Sequence, residues 1–188
     1  MAAETALLTD AQRDALLALA RQAAARAARG ETDDGPGAPP DGLDRLGAAF
    51  VTLRVGGALR GCIGTFEGRD PLWHTVHEMA VAAATRDPRF PRLGVADVDA
   101  LGVDISVLAP ARRVSDPTEI EIGRHGLEIR KGLRRGLLLP QVATDHGLDR
   151  ETFLAETCRK AGLPTRAWRE ADTEVWCFEA EVFGDIEA

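Results

Sequence analysis

Apolar residues recur along this chain with two different periods. Between residues 102 and 108, Val103, Ile105 and Val107 alternate with Asp104, Ser106 and Leu108, the period of a β-strand. Near the start, Leu16, Leu17, Leu19, Ala20, Ala23 and Ala24 instead form a mostly apolar helical stripe. Thr9 followed three residues later by Gln12 predicts a capping box at its beginning, and Gly30 supplies its stop. A second helical face, carrying Leu72, Val76, Ala80 and Ala83, follows Asp70-Pro71, which reads as a cap and first helical residue. Pro88 and Pro91 end it in the loop Asp87-Pro88-Arg89-Phe90-Pro91. Asp149 can cap a third helix running to Lys160, with Phe153, Leu154, Thr157 and Cys158 on its buried side.

The remaining segments read as strands. Residues 49–55 are β-like, Gly56-Gly57 predicts a two-residue hairpin turn with positive φ, and 58–66 returns. Residues 127–131 and 135–139 predict a further pair around Gly132, and 175–183 closes the chain. Hairpins with helices between them, and little βαβ alternation, predict an α+β fold with a mixed or mainly antiparallel sheet. With 188 residues there is material for one sizeable core and a small second lobe, taken here as a single domain over 1–188. Residues 29–42, dense in Gly, Pro and Asp, predict an exposed, mobile loop with nothing to bury.

Composition narrows the function classes. The formal net charge of -7 gives no general attraction for a phosphate backbone. Three basic clusters (Arg86, Arg89, Arg92; Arg112, Arg113; Arg130, Lys131, Arg134, Arg135) read as solvated surface, with an anion-binding groove as the alternative. Three widely spaced cysteines do not make a disulfide framework. Met1-Ala2-Ala3-Glu4-Thr5 lacks the basic-then-apolar start of an export signal. No stretch approaches the ~20 apolar residues of a membrane span. Together these predict a cytoplasmic protein in a reducing compartment. There is no phosphate loop and no dinucleotide fingerprint, so no nucleotide cofactor is expected.

The chemistry concentrates in Leu59-Arg60-Gly61-Cys62-Ile63-Gly64. On a strand Arg60, Cys62 and Gly64 share one face, and a guanidinium beside a thiol favours the nucleophilic thiolate. Gly61 and Gly64 weaken a strand, and such glycines mark a bulge or a close approach by backbone or ligand. The bland alternative is a cysteine serving as a small core residue. His125, in a turn entering a strand, is a candidate general base, or else a turn histidine bonded to backbone. Asp104 and Ser106 share a strand face and could orient that base or hold a substrate hydroxyl, or simply face solvent. His74 and His77, three apart on a helix, could meet at a metal, but no third ligand is evident and no metal is expected. Cys158, Cys177 and the tryptophans Trp73, Trp168 and Trp176 read as core and packing anchors.

The hexapeptide around Cys62 resembles the signature of the AMMECR domain family, which includes protein A of the AmmeMemoRadiSam gene system. Asp87-Pro88-Arg89-Phe90-Pro91, Ile105-Ser106-Val107-Leu108, Ile122-Gly123-Arg124-His125-Gly126-Leu127 and Gly136-Leu137-Leu138-Leu139-Pro140-Gln141-Val142-Ala143 follow in the order that family shows. So does the run from Phe153-Leu154 to Thr157-Cys158-Arg159-Lys160-Ala161-Gly162-Leu163. The chain departs from the pattern with Asp104 for Glu, Arg124 for Lys, Arg92 for a second Pro and Leu148 for an aromatic. The resemblance implies a two-lobed fold with an antiparallel sheet flanked by helices. It also implies association with a dioxygenase-like Memo protein and a radical S-adenosylmethionine protein. The motif region is implied as the active or binding site, without a reaction class. The resulting expectation is catalysis by Cys62, His125 and Asp104, with Arg60, Gly61, Gly64, Arg89, Ser106 and Gln141 binding substrate. A binding module without chemistry, and a protein that recognises or modifies RNA, are the alternatives.

Overall fold

The computed structural model describes residues 8–185. Thr9 opens α1 (Asp10–Arg29) with the expected capping box: its side chain accepts from Gln12 N and the Gln12 side chain accepts from Thr9 N. Gly30 ends the helix in the left-handed conformation, φ 69°. Strands β1 (Ala48–Val55) and β2 (Ala58–Gly64) form the hairpin, with Gly56 and Gly57 at φ 57° and 82°. Helix α2 (Leu72–Thr85) follows, then β3 (Leu101–Leu108). Asp70 does not cap α2. Pro71 occupies the cap position without a side-chain bond, and backbone supplies the partners: Leu72 N donates to Arg45 O and Trp73 N to Leu43 O.

These elements form the first of two compact units, which runs to Leu108 and includes the segment from Glu181. Its strands lie in the antiparallel order β2, β1, β3. Ala49, Val51, Leu53, Val103 and Ile105 turn one face towards α1 and α2, making a core with Leu16, Ala20, Val76 and Ala80. The glycine of the hexapeptide that belongs to this face is Gly61: a Cβ there would lie 2.1 Å from the carbonyl oxygen of Ala83 in α2. Gly61 therefore lets the helix backbone close on the strand. Gly61→Ala is expected to lose about 3 kcal/mol of stability by overpacking, read as a lowered midpoint of chemical denaturation.

The second unit spans residues 109–180. It contains β4 (Arg112–Arg113), β5 (His125–Lys131), β6 (Arg134–Leu138), α3 (Pro140–Asp145), α4 (Arg150–Lys160) and most of β7 (Glu174–Gly184). Here β5 pairs antiparallel with β6 and β7, and β4 pairs with β7. Asp149 caps α4 by accepting from Thr152 N, and Phe153, Leu154, Cys158 and Cys177 are fully buried in its core. Each unit is thus an antiparallel sheet with helices against it, the two-lobed α+β arrangement expected. No helix among the described residues is long and apolar enough to cross a membrane.

The Gly, Pro and Asp-rich loop is exposed as expected, yet it is tied down. Trp73 Nε1 donates to Pro36 O at 2.9 Å, and Arg26 Nη2 pairs with Asp34 at 2.9 Å. The N-terminal pentapeptide lies outside the described residues.

Candidate functional site

The face of β1, β2 and β3 turned away from the helices carries the polar half of each alternation. Register sets Cys62 opposite Thr52 and Thr52 opposite Asp104, so one row crosses three strands. The next row is Gly64, Phe50 and Ser106. The Thr52 hydroxyl donates to Cys62 Sγ at 3.3 Å, and the thiol is half-buried. Asp104 is buried, and Arg54 Nε lies 3.6 Å from its Oδ2. Phe50 lies across Gly64, where a Cβ would meet its ring at 2.2 Å, and packs at a 47° tilt against Phe66, ring centroids 5.0 Å apart. Both hexapeptide glycines are accounted for by packing, Gly61 against a helix and Gly64 under a ring.

Strand β2 is the edge of this sheet, and its backbone at Cys62 is covered by side chains instead of a strand. Asp87 Oδ2 accepts from Cys62 N at 2.9 Å, and Arg89 Nη2 donates to Cys62 O at 3.2 Å. The two residues are locked together: Arg89 Nε and Nη2 reach Asp87 at 3.0 and 2.8 Å, and Arg89 N donates to the same carboxylate at 3.1 Å. Arg89 holds the Asp87 carboxyl far below the usual carboxylate range, outweighing burial. The Arg89 guanidinium in turn keeps its proton more tightly, through Asp87 first, with burial opposing and the Cys62 sulfur adding to the effect.

Arg60, expected beside the thiol, bonds instead to Asp97 at 3.0 Å. The reason is local. A two-residue hairpin would keep Leu53 opposite Arg60, but the register slips: Arg54 faces Leu59, Leu53 faces Gly61, and Arg60 has no partner on β1. It is the extra residue of a bulge, so simple alternation does not govern its direction. The same slip brings Cys62, not Gly61, opposite Thr52. The arginine that interacts with Cys62 is therefore Arg89, and sequence reasoning missed Thr52, Arg54 and the role of Asp87. Thr52 had a signal, as the polar position between Val51 and Leu53, but its pairing depends on the bulge.

His125 and Gln141 belong to the second unit. His125 begins β5 and is buried, and its Nδ1 accepts from Glu121 N at 3.0 Å, which requires the hydrogen of a neutral ring to sit on Nε2. Burial, then the positive charge of Arg112, pushes its pKa down. Gln141 is on α3, with Oε1 buried and without a hydrogen-bond partner. Burial likewise raises the thiol pKa of Cys158 and Cys177, leaving Cys62 as the accessible cysteine of the three.

The basic clusters are largely neutralised within their units. Arg112 pairs with Glu119, Arg113 with Glu174, Lys131 with Glu170 and Asp172, and Arg130 and Arg135 with Glu128.

A sequence model of the AMMECR1 family matches residues 17–183. The chain belongs to the AMMECR1 family. A protein of Thermococcus onnurineus is 42% identical over 180 residues, covering 89% of this chain and 87% of its own. One of Methanothermobacter thermautotrophicus is 44% identical over 150 residues, 77% and 78% of the two chains. The crystal structure of the uncharacterized protein PH0010 from Pyrococcus horikoshii superposes with a TM-score of 0.86 at 39% identity, covering 95% of this chain and 93% of that one. This AMMECR1 chain shares the fold of that structure, and its Cys62 hexapeptide lies inside the matched segment.

Proposed function

We propose that the outward face of β1, β2 and β3 is a substrate-binding face on which Cys62 is the reacting thiol of an enzyme or enzyme component. The observation that carries the proposal is the Thr52 hydroxyl donating to a half-buried sulfur at 3.3 Å. A thiolate nucleophile needs hydrogen-bond donors and positive charge around it together with access, and Thr52 and Arg89 supply the first two. The Asp87 carboxylate, bound to Arg89 and to Cys62 N, is a poor base and holds the strand in place. Asp104, one strand beyond Thr52, is the acid group of the same row and is assigned the orientation of a substrate hydroxyl or of Thr52. His125 belongs to the second unit. With Nε2 protonated and Nδ1 accepting from Glu121 N, its neutral ring has no free lone pair to take a proton, so it is assigned no proton transfer at Cys62. In this reading Arg60 and Ser106 bind substrate, and a Memo-like protein and a radical S-adenosylmethionine protein supply or consume it.

Alkylation kinetics test the thiol. Iodoacetamide at neutral pH is expected to modify Cys62 at least about tenfold faster than free glutathione, with Thr52→Val returning the rate towards that of glutathione. A wild-type rate equal to that of glutathione contradicts the proposal. The binding-module reading is favoured by the packing role of the two glycines, and Cys62→Ser separates it: a docking face tolerates the change and a nucleophile does not. RNA recognition draws no support from arginines already paired with carboxylates.

A further inference from the structure

Of the sequence features that the thiol face leaves unused, the pair His74 and His77 offers no shared site: α2 turns the first to solvent and buries the second. The second unit carries a hollow instead. Its cavity of about 570 Å³ falls in the range of small-molecule sites, roughly 300–1,000 Å³. Four pieces of chain converge on it: Leu138 at the end of β6, Val142 in α3, His146 and Leu148 in the turn that follows, and Arg159 and Lys160 on α4. Leu138, Val142 and Leu148 are partly buried and packed on the core beneath, forming an aliphatic floor. No Phe or Trp lines the cavity, so a flat aromatic ring would find no stacking partner there. The rim is cationic. Arg159 and Lys160 are exposed on the last turn of α4. Arg159 bonds Glu156 through Nη1 alone, 2.8 Å from each carboxylate oxygen, so its Nε and Nη2 stay free among the described residues. Lys160 pairs with no carboxylate among the described residues. Cations in the last turn complement the helix dipole, which accounts for their place on α4 but not for the apolar hollow they border.

We propose that this hollow binds the monoanion of a medium-chain aliphatic carboxylic acid, with its carboxylate at Arg159 and Lys160 and its chain over Leu138, Val142 and Leu148. The guanidinium fork matches a carboxylate in geometry, and Lys160 adds a point charge. Glu156 offsets one of the two cations, so the rim suits a single negative charge better than a phosphate dianion. Each methylene laid on the floor leaves water, which selects a chain over an anion the size of acetate. The site lies wholly within the second unit and shares no residue with the Cys62 face, so its ligand need not be the substrate of that face.

Titration of the isotopically labelled full chain with sodium octanoate, followed by amide chemical shifts, tests this. Shifts around Leu138, Val142, Leu148 and Lys160 should saturate with a Kd on the order of 10⁻⁴ M, while those of β2 stay unmoved. Hexanoate should bind about tenfold more weakly, because two methylenes leave the floor, and this comparison alters no residue. Lys160→Gln, at an exposed position, should weaken octanoate at least about threefold and leave octanol unmoved, which separates the charge from the apolar floor. Shifts that fail to saturate overturn the proposal. So does a Lys160→Gln chain that binds octanoate as well as the wild type, or one that loses octanol to the same extent. Saturating shifts at Cys62 instead would put the acid on the thiol face and also overturn it. Dimerisation of the ligand-free chain through these same residues, seen by sedimentation, would make the hollow the seat of a second copy and overturn it too.

Discussion

Glu128→Ala is expected to destabilise the second unit by about 4 kcal/mol, the scale of breaking a buried ion pair from one side. The Glu128 side chain on β5 is buried, and Arg130 grips it with both arms, Nε on Oε1 at 2.8 Å and Nη2 on Oε2 at 2.9 Å. Arg135, opposite Arg130 in the β5–β6 register, donates to the same carboxylate. Without it two guanidiniums on neighbouring strands face each other with their shared counter-charge removed, and Arg130 lies over the Trp176 ring at 4.5 Å. Burial opposes ionisation of Glu128, but the two arginines outweigh it and its pKa is lowered. A carboxylate with a depressed folded-state pKa contributes stability that is present above its unfolded value, ~4.3, and is lost as pH falls through the folded one. Stability of the wild type should therefore hold from neutrality to about pH 5 and decline below. Glu128→Ala should lower the denaturation midpoint at pH 7 and flatten that acid decline. A midpoint within about 0.5 kcal/mol of wild type would show the cluster to be inert.

Asp87→Ala is expected to cost about 3 kcal/mol, and its effect should be felt at Cys62. The carboxylate satisfies the outward N–H of Cys62 on an edge strand and positions the guanidinium that satisfies the outward C=O. Removing it leaves one backbone donor without its partner and frees Arg89 from three bonds to Asp87, including that from its own backbone N–H. Amide exchange at Cys62 should accelerate well beyond the change in global stability. Asp87→Asn, which keeps the shape but loses the charge, should fall between the two. Since Asp87 too is held ionised by Arg89, its contribution has the same sign with pH as that of Glu128.

What could be read from the residues was local. The Thr9 and Gln12 box, the Gly56-Gly57 turn and the Asp149 cap each depend on a few neighbours, and each forms as expected. The alternation of Val103, Ile105 and Val107 fixed which side of β3 is buried and therefore which side offers Asp104 and Ser106. What could not be read depends on distant partners. Asp70 yields its capping role because carbonyls of residues 43 and 45 reach the α2 N–H groups first. The short α3 went unseen because its six residues carry too little periodicity. The bulge at Arg60 moved the expected Arg-to-thiol pairing onto Arg89, which lies 27 positions beyond Cys62. Asp33 meets His77 only because the loop after α1 folds back over α2, a contact invisible to helical spacing.

The thiol site rests on a difference among the three cysteines, and two-stage isotopic alkylation measures it directly. Light iodoacetamide is applied to the native chain at neutral pH, the chain is unfolded, and heavy reagent is added before peptide mapping. Cys62 should carry the light label in full, while Cys158 and Cys177, buried in the second unit, should carry the heavy one. Heavy label at Cys62 would mean that its sulfur is sealed in the folded protein, and no chemistry on that face could then be assigned to it.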